Sequence, residues 1–463
     1  MKKAICLFAA LMFLLTSCMV PADTSPATTQ PSTQVDPAPF KEKGLYIWSD
    51  TPNQHDFWKA CGFTVMQLCD LGWHRNAENG MLEQYTKVLA NNVRTLQADG
   101  FKVYVILFAN IKQYKGPHDL EPTGIGEKFH PSNEAEMEDR LFYLRKTVEA
   151  CKAADGFTLF AGDPGGIPDS LGTGSVQDYI NMALKVRDLV KEVAPQAEFN
   201  INTWAVSMFT TPNFSAGNVK FWTTETESNR TIVAYEGLLG EDTGLELPCH
   251  DYYRPMTLRL YHTNPVYRKD PPKYPSAEEF QAIRNTGAAR LWAWPYFLLD
   301  EADDGDLGGA GVDSAMQIEV RYIHKLVNDM RELGFDGIIG SWSYAGYLEK
   351  ALNTYAFARF ADDANLTPEM VLAEYADYLT ADEASAKTLV EIFKYIENQS
   401  NWHKKMPKAT QLPQWETSIT SPEQALEMYE TITASERPYD FDLPEGSKMY
   451  LLRVKNRLKA MIK

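Results

Sequence analysis

Residues Phe101–Asn110 read FKVYVILFAN, an apolar run rich in Val, Ile and aromatic side chains that ends in a polar residue. A short run of this composition is typical of a buried β-strand. The preceding stretch, Met81–Ala98, instead repeats its apolar residues at helical spacing. Strands and helices that alternate along the chain indicate a sheet of parallel strands with helices on its faces.

The same alternation extends over most of the chain. Seven further strand-like runs end in polar or aromatic residues: Gly44–Asp50, Phe63–Asp70, Gly156–Asp163, Ala197–Trp204, Met256–Asn264, Ala289–Asp300 and Phe335–Trp342. Besides Met81–Ala98, helices are predicted at Ser175–Val193 and Ser314–Leu333, after the cap pair Asn133 and Glu136, and after the pair Ser276 and Glu279.

Eight βα units over roughly 300 residues predict an α/β fold, a (β/α)8 TIM barrel spanning 41–362 with an insertion between strands five and six. A doubly wound open sheet is the alternative. No glycine-rich fingerprint follows any predicted strand, and the nearest candidate, Gly172 to Gly174, lacks both the third glycine and the strand before it. The barrel is therefore favoured.

The last part of the chain, 363–463, has helical patterns only. Thr367 and Ser421 each precede a proline and a glutamate, which is the order of an N-cap, a first helical residue and an acidic first turn. Ser447 is predicted to cap a final helix over Lys448–Ile462. We expect this C-terminal helical region to brace the barrel.

The first residues have the features of an export signal. Lys2 and Lys3 precede the apolar run Ala4–Leu15, which is too short to span a bilayer. The run ends in Leu15-Thr16-Ser17-Cys18, which resembles a bacterial lipobox and implies a signal peptide over 1–17 and a lipid on Cys18. A plain secretory signal ending near Ala22 is the alternative. Residues 18–40, rich in Pro and Thr, then form an extended tether, and the expected location is the bacterial cell envelope, at the outer membrane or cell surface.

The charge balance of the chain limits the kinds of molecule that it is expected to bind. The chain of 463 residues has 45 Lys plus Arg against 62 Asp plus Glu, a formal charge of -17, and nucleic-acid binding relies on the opposite balance.

No zinc-ligand spacing, His-Glu-x-x-His or Gly-x-Ser-x-Gly motif occurs, so neither a metal nor a cofactor is expected. Four cysteines of the folded part form up to two disulfides or stay as buried thiols: Cys61, Cys69, Cys151 and Cys249.

Polar and aromatic residues collect where the predicted strands end, which in a TIM barrel is the face that carries the chemistry. The carboxylates there are Asp50, Asp70, Asp163 and Asp300, and the other hydrogen-bonding residues are Asn110, Asn202, His262 and Asn264. The aromatic residues are Trp48, Trp204, Trp294, Tyr296 and Trp342, whereas Trp292 is interpreted as barrel filler. Flat aromatic rings suit the apolar face of a sugar, and paired carboxylates suit glycoside hydrolysis.

Single residues of this set have other interpretations. Asp50 and Asp70 serve equally well as caps of the following helices. Asp163 lies in Ala161-Gly162-Asp163-Pro164-Gly165-Gly166, where the glycines permit a close approach that a helix cap does not need. His262 is a candidate general base, although a lone histidine more often positions a hydrogen bond.

Two stretches resemble TIM-barrel glycoside hydrolases. The run Asn353-Thr-Tyr355-Ala-Phe357-Ala-Arg359-Phe360-Ala361, followed by Leu366-Thr-Pro-Glu369, is similar to the end of the α-glucuronidase barrel and its bracing helices. Phe160-Ala-Gly162-Asp163 resembles the Gly-Gly-Asp-Glu strand end of β-hexosaminidases, in which the Asp orients the acetamido group of the substrate and the Glu is the acid. Pro164 replaces that Glu here, so the resemblance implies a substrate-facing Asp163 and leaves the acid unassigned.

The sequence thus predicts a lipid-anchored glycoside hydrolase acting on an oligo- or polysaccharide, with Asp163 and Asp300 as the catalytic pair and Glu225 or Glu227 as second choices. The aromatic residues would form the sugar platform, and the amides and His262 would bind hydroxyls. The competing hypothesis is a surface glycan-binding lipoprotein that has lost the acid, which Pro164 favours. A barrel acting on a substrate other than a sugar is a third, since this fold hosts many chemistries.

Overall fold

Eight parallel strands pair in chain order and close into a barrel in the computed structural model of the chain. They are β1 Glu42–Ile47, β2 Val65–Leu68, β3 Lys102–Phe108, β4 Gly156–Phe160, β5 Glu198–Asn202, β6 Thr243–Pro248, β7 Leu291–Trp294 and β8 Gly337–Trp342. The register of β8 against β1, from Glu42 opposite Gly337 to Ile47 opposite Trp342, closes the ring. The predicted (β/α)8 barrel is confirmed.

The structure describes most of the barrel wall and the C-terminal helices. The described residues are 39–47, 52–69, 81–109, 118, 133–160, 176–202, 237, 239–248, 281, 283–295, 318–342, 351–399, 412–436 and 446–462. All of them belong to one compact unit, Pro37–Lys463. No helix within these ranges has the length and apolar character needed to cross a membrane.

One predicted strand is wrong. The sixth strand of the barrel is Thr243–Pro248, which pairs with β5 and β7, and not Met256–Asn264. The residues 256–264 lie outside the described residues, as does the pair Ser276 and Glu279. Because β6 contains Gly244 and Glu246, its local composition is a poor strand signal.

The helices follow the strands as the alternation predicts. Five α-helices accompany the barrel within the described residues: α1 His55–Ala60, α2 Met81–Ala98, α3 Glu134–Ala150, α4 Val176–Val193 and α5 Val320–Glu332. The start of α3 is fixed by Asn133, whose side chain accepts a hydrogen bond from the backbone N–H of Glu136. This is the predicted cap, and it satisfies one of the helix's unpaired donors.

Five more helices complete the described chain: α6 Ala351–Asp362, α7 Pro368–Leu379, α8 Glu383–Asn398, α9 Pro422–Tyr429 and α10 Gly446–Ile462. Thr367 and Ser421 cap α7 and α9 through their hydroxyl oxygens, as predicted. The prediction for Ser447 is wrong, because this residue lies inside α10 and its hydroxyl donates to the carbonyl of Ser435 at 2.9 Å.

The run resembling α-glucuronidases contributes structural contacts to this helical region. Within α6, the guanidinium of Arg359 donates to both carboxylate oxygens of Glu374 on α7, at 2.9 and 3.1 Å. The Tyr355 hydroxyl donates to the same carboxylate at 3.1 Å. Asn353 is fully buried and accepts from the backbone N–H of Glu319, just before α5. These three residues therefore link α6 to its neighbours.

Large aromatic rings fill the half of the barrel at the N-terminal ends of the strands, which we call the lower half. They fit there because each ring faces a glycine on the neighbouring strand. The Tyr104 and Trp292 rings meet edge to face with centroids 5.0 Å apart. A Cβ atom on Gly156 would lie 2.2 Å from the Tyr104 ring, and one on Gly337 would lie 2.7 Å from the Trp292 ring. Trp292 is fully buried, which confirms its interpretation as barrel filler.

The cysteines described in the structure are not cross-linked. Cys61, Cys69 and Cys151 are buried, and none of the three takes part in a disulfide. Burial raises the pKa of the Cys61 thiol. These three residues thus follow the buried-thiol alternative of the sequence analysis, and Cys249 lies outside the described residues.

Candidate functional site

Three of the sequence-predicted site residues fall within described strands. Asn202 is the last residue of β5, Trp294 the last of β7 and Trp342 the last of β8, where the backbone alone is described. The remaining candidates lie outside the described residues: Trp48, Asp50, Asp70, Asn110, Asp163, Trp204, Glu225, Glu227, His262, Asn264, Tyr296, Asp300 and Cys18. Their predicted roles stay predictions.

Asn202 lies in the barrel interior. It is 0% exposed, and its side-chain N–H donates to Oε2 of Glu246 on β6 at 3.1 Å. Its backbone carbonyl accepts a hydrogen bond from the Tyr179 hydroxyl of α4 at 3.4 Å. These contacts place the Asn202 amide at the C-terminal end of β5 with its nitrogen directed toward a carboxylate.

Glu246 is the centre of a polar layer that the sequence analysis missed. Its Oε1 accepts three hydrogen bonds, from Gln67 Nε2 on β2 at 2.7 Å, Thr158 Oγ1 on β4 at 2.9 Å and Asn200 Nδ2 on β5 at 2.9 Å. With Asn202, four side chains from three strands converge on one carboxylate. We call this set, Gln67, Thr158, Asn200, Asn202 and Glu246, the Glu246 layer.

The carboxylate of this layer is in an unusual environment for a charge. Glu246 is fully buried, and burial raises its pKa although all four donors favour the ionised form. A carboxyl group held this way takes up a proton more readily than one in water. It resembles in this respect the carboxyl groups that act as acids in enzymes, but its complete burial keeps it from solvent.

Arg290 orients the amide of Asn200. Its Nη2 and Nε donate to Oδ1 of Asn200 at 2.7 and 3.2 Å. Because the oxygen of Asn200 is thereby occupied by a cation, the amide nitrogen faces Glu246. Arg290 also pairs with Glu198, 3.3 Å away at the N-terminal end of β5, so a polar chain extends from the bottom of the barrel to Asn202.

Aromatic rings lie near the C-terminal ends of the strands. Trp294 meets Tyr46 of β1 edge to face at 5.5 Å and Phe160 of β4 at 5.3 Å, measured between ring centroids. Tyr46 and Phe160 are stacked at 6.0 Å. Trp294 is 3% exposed. It therefore belongs to a packed aromatic cluster of Tyr46, Phe160 and Trp294, and its predicted contact with a sugar stays a prediction.

Two signals could have found the Glu246 layer in the sequence. The stretch Thr243–Pro248 reads TGLELP, with Leu245 and Leu247 on one face of a strand and Gly244 and Glu246 on the other. Gln67 and Thr158 likewise occupy inward positions within apolar runs. A polar residue at an inward position of a buried strand needs a partner, and several such residues point to a shared one.

The described residues contain no group of three or more His, Cys, Asp or Glu side chains suited to hold a metal ion. The Glu246 layer consists of amide, hydroxyl and carboxyl groups. It can hold a proton and fix the orientation of Asn202 at the rim of β5.

No protein-family model matches the chain, and no curated protein matches it. Among solved structures, a mutant O-GlcNAc hydrolase from Thermobaculum terrenum is 9% identical, with 89% of this chain and 82% of that one covered and a TM-score of 0.47. A GH30 endoxylanase from Clostridium papyrosolvens C71 is 12% identical over 70% and 72%, with a TM-score of 0.37. CpGH84D is 12% identical over 91% and 60%, with a TM-score of 0.43.

The class defined by the fold is thus the (β/α)8 barrel, and the structures reported as similar to it are glycoside hydrolases. Identities of 9 to 12% leave the activity of this chain to be argued from its own residues.

Proposed function

We propose that the chain is a glycoside hydrolase that cleaves an oligo- or polysaccharide with carboxylates at the C-terminal face of the barrel. Asp163 and Asp300 are the proposed catalytic pair, with Glu225 and Glu227 as second choices. The proposal is supported chiefly by chain order: β4 ends at Phe160, three residues before Asp163, and β7 ends at Trp294, six residues before Asp300. Residues that follow parallel strands of a closed barrel emerge at one face, where barrel enzymes carry their chemistry.

In the proposed reaction, one carboxyl group protonates the glycosidic oxygen as the bond from that oxygen to the anomeric carbon breaks. The second carboxylate attacks that carbon or removes a proton from an attacking water. A pair of carboxyl groups about 5 to 10 Å apart serves either course. The proposed sugar platform comprises Trp48, Trp204, Trp294, Tyr296 and Trp342, and hydroxyl contacts are assigned to Asn110, Asn202, His262 and Asn264.

Asp163→Asn tests the catalytic assignment in an assay with a panel of aryl glycosides. Turnover should fall by about 10²-fold or more, because the variant cannot donate or accept the proton in the transition state. The matched control is Asp188→Asn on α4, where the carboxylate is 67% exposed and pairs with Arg187. Turnover by Asp163→Asn equal to that of the control would remove Asp163 from the mechanism.

The second candidate function is glycan binding without cleavage, which the proline after Asp163 favours. Retention of the protein on immobilised glycans, with no reducing sugar released from any of them, would establish this alternative. Release of reducing sugar by the wild type, lost in Asp163→Asn, would establish hydrolysis.

We also propose that the mature protein is attached to the bacterial cell envelope by a lipid on Cys18. The support is the order of basic residues, apolar run and Leu15-Thr16-Ser17-Cys18. In a detergent phase partition, the wild type should enter the detergent phase, and Cys18→Ser should remain in the aqueous phase. Cys6→Ser, which changes a cysteine within the same N-terminal segment, should partition as the wild type does. Equal partition of the two variants would contradict acylation at Cys18.

A further inference from the structure

A buried guanidinium lies outside the barrel wall. Arg140 of α3 is 1% exposed, and its Nε and both Nη atoms are buried without a hydrogen-bond partner in the described part of the chain. Its described contact is with the face of Tyr143, 4.9 Å from the ring centroid. A guanidinium presents five N–H donors, and burying its charge without compensation is costly. An anion would therefore compensate the buried charge of this side chain.

A cavity of about 30 Å³ adjoins this guanidinium. It lies between the end of β3, the first half of α2 and the middle of α3, with Phe108 and Leu144 among its apolar lining residues. Thr86 and Thr147 supply hydroxyl groups. None of the described residues that line the cavity is acidic, so no carboxylate among them neutralises Arg140.

The charge persists at physiological pH. Burial lowers the pKa of Arg140 to about 10, which leaves the guanidinium protonated at pH 7. The ring of Tyr143 attracts the cation through its negative face. This attraction satisfies no N–H donor of the guanidinium, and these donors have no acceptor among the residues that the structure describes.

We propose that the cavity binds one small monovalent anion, of the size of chloride, formate or nitrate, on the guanidinium of Arg140. The volume is about twice the 10 to 15 Å³ that a single water requires, which admits these ions and excludes a hexose or a hexonate. An anion also gives the buried donors charge-assisted hydrogen bonds, the strong class of such bonds.

Thermal unfolding of the full-length protein tests the site. At constant ionic strength, gluconate, which is too large for the cavity, is replaced stepwise by formate, nitrate or chloride. A ligand that binds the folded state alone raises the unfolding midpoint, here by about 2 °C or more at saturation. The rise should be present in the wild type and absent from Arg140→Met.

Arg145→Met is the matched control, since Arg145 is on the same helix but half-exposed and pairs with both carboxylate oxygens of Glu192, at 2.8 and 2.7 Å. This variant should keep the full anion-dependent rise. An equal rise in the wild type and Arg140→Met, or no rise in the wild type, would overturn the proposal.

A second measurement does not depend on the folding of a variant. Chloride-35 NMR of the wild type should show a line broadened by the protein, and formate should narrow it by competition. The Arg140→Gln variant has a smaller, uncharged side chain at this position. It should lack the part of the chloride line broadening that formate removes. A wild-type line that formate does not narrow would contradict the site even if Arg140→Met failed to fold.

Discussion

Two buried glutamates, one in the barrel and one in the C-terminal helices, are held in opposite ways. Glu246 receives its four described hydrogen bonds from neutral side chains on β2, β4 and β5. Glu397 of α8 accepts from the Arg321 guanidinium at 3.2 Å and from the Trp415 indole at 2.6 Å. Both are 0% exposed, and burial raises the pKa of both.

The difference follows from what each carboxylate connects. Arg321 also donates to the carbonyl of Pro413 and to Asn398 Oδ1, and its guanidinium lies 4.9 Å from the Trp415 ring. The Glu397 cluster thus ties α5, α8 and the segment around Trp415 together with a charge pair. The Glu246 layer instead fixes the directions of amides inside the barrel wall, among them Asn202 at its rim.

The largest effect is expected for Arg321→Met. Removing the guanidinium leaves the Glu397 charge buried without its cation, which costs about 3 to 5 kcal/mol of unfolding free energy. Chemical denaturation gives this value. Lys325→Met, on the same helix and paired with the partly exposed Asp329 at 2.7 Å, is the control and should change stability by about 0.5 kcal/mol or less.

The double variant Arg321→Met with Glu397→Leu separates the contribution of the charge pair to the unfolding free energy from the contribution of packing around it. It should recover much of the lost stability, because neither partner is left charged in the interior. A double variant as unstable as Arg321→Met alone would show that packing around the guanidinium, and not the charge pair, holds this region.

A smaller effect is expected for Glu246→Leu. Four buried donors lose their acceptor, each at about 1 to 3 kcal/mol, while the loss of a desolvated carboxylate returns part of this. We expect a net destabilisation of about 2 to 3 kcal/mol in chemical denaturation. Glu246→Gln, which keeps an acceptor oxygen, should lose less. A larger loss for Glu246→Leu than for Arg321→Met would reverse the comparison of the two glutamates.

The smallest effect is the pH dependence of the Glu246 contribution. Its folded pKa is raised above the ordinary value of 4.5, so its stabilising contribution is complete below pH 4.5 and is lost as pH rises through the folded pKa. The unfolding free energy of the wild type, relative to Glu246→Gln, should therefore decrease from pH 4 upward. A relative stability that increases with pH would mean that the four donors outweigh burial.

Much of the fold could be predicted because its signals are local. The cap residues Asn133, Thr367 and Ser421 precede their helices in the chain and bond to backbone three residues on. Apolar runs such as Lys102–Phe108 are buried over nearly their whole length. Strand β6 has a weaker local signal, the alternation of two leucines with Gly244 and Glu246. The latter two residues are explained only by contacts with distant strands.

Gly244 and Glu246 each contact particular residues that are distant in the chain. A Cβ atom on Gly244 would lie 2.1 Å from Oδ1 of Asn200, and Glu246 draws its donors from residues up to 179 positions away. The same limit applies to the candidate site. The sequence could predict Asn202 as a polar strand end, but its partner Glu246 depends on the barrel closing.

The glycines beneath the rings of the lower barrel constrain how this sequence can evolve. Because a methyl group at position 156 would overlap the Tyr104 ring, Gly156 is replaceable only after position 104 has become smaller. Gly337 and Trp292 form a second dependent pair of the same kind. Among descendants of this chain, the order of substitutions at such pairs is therefore set in advance, with the ring lost first and the glycine second.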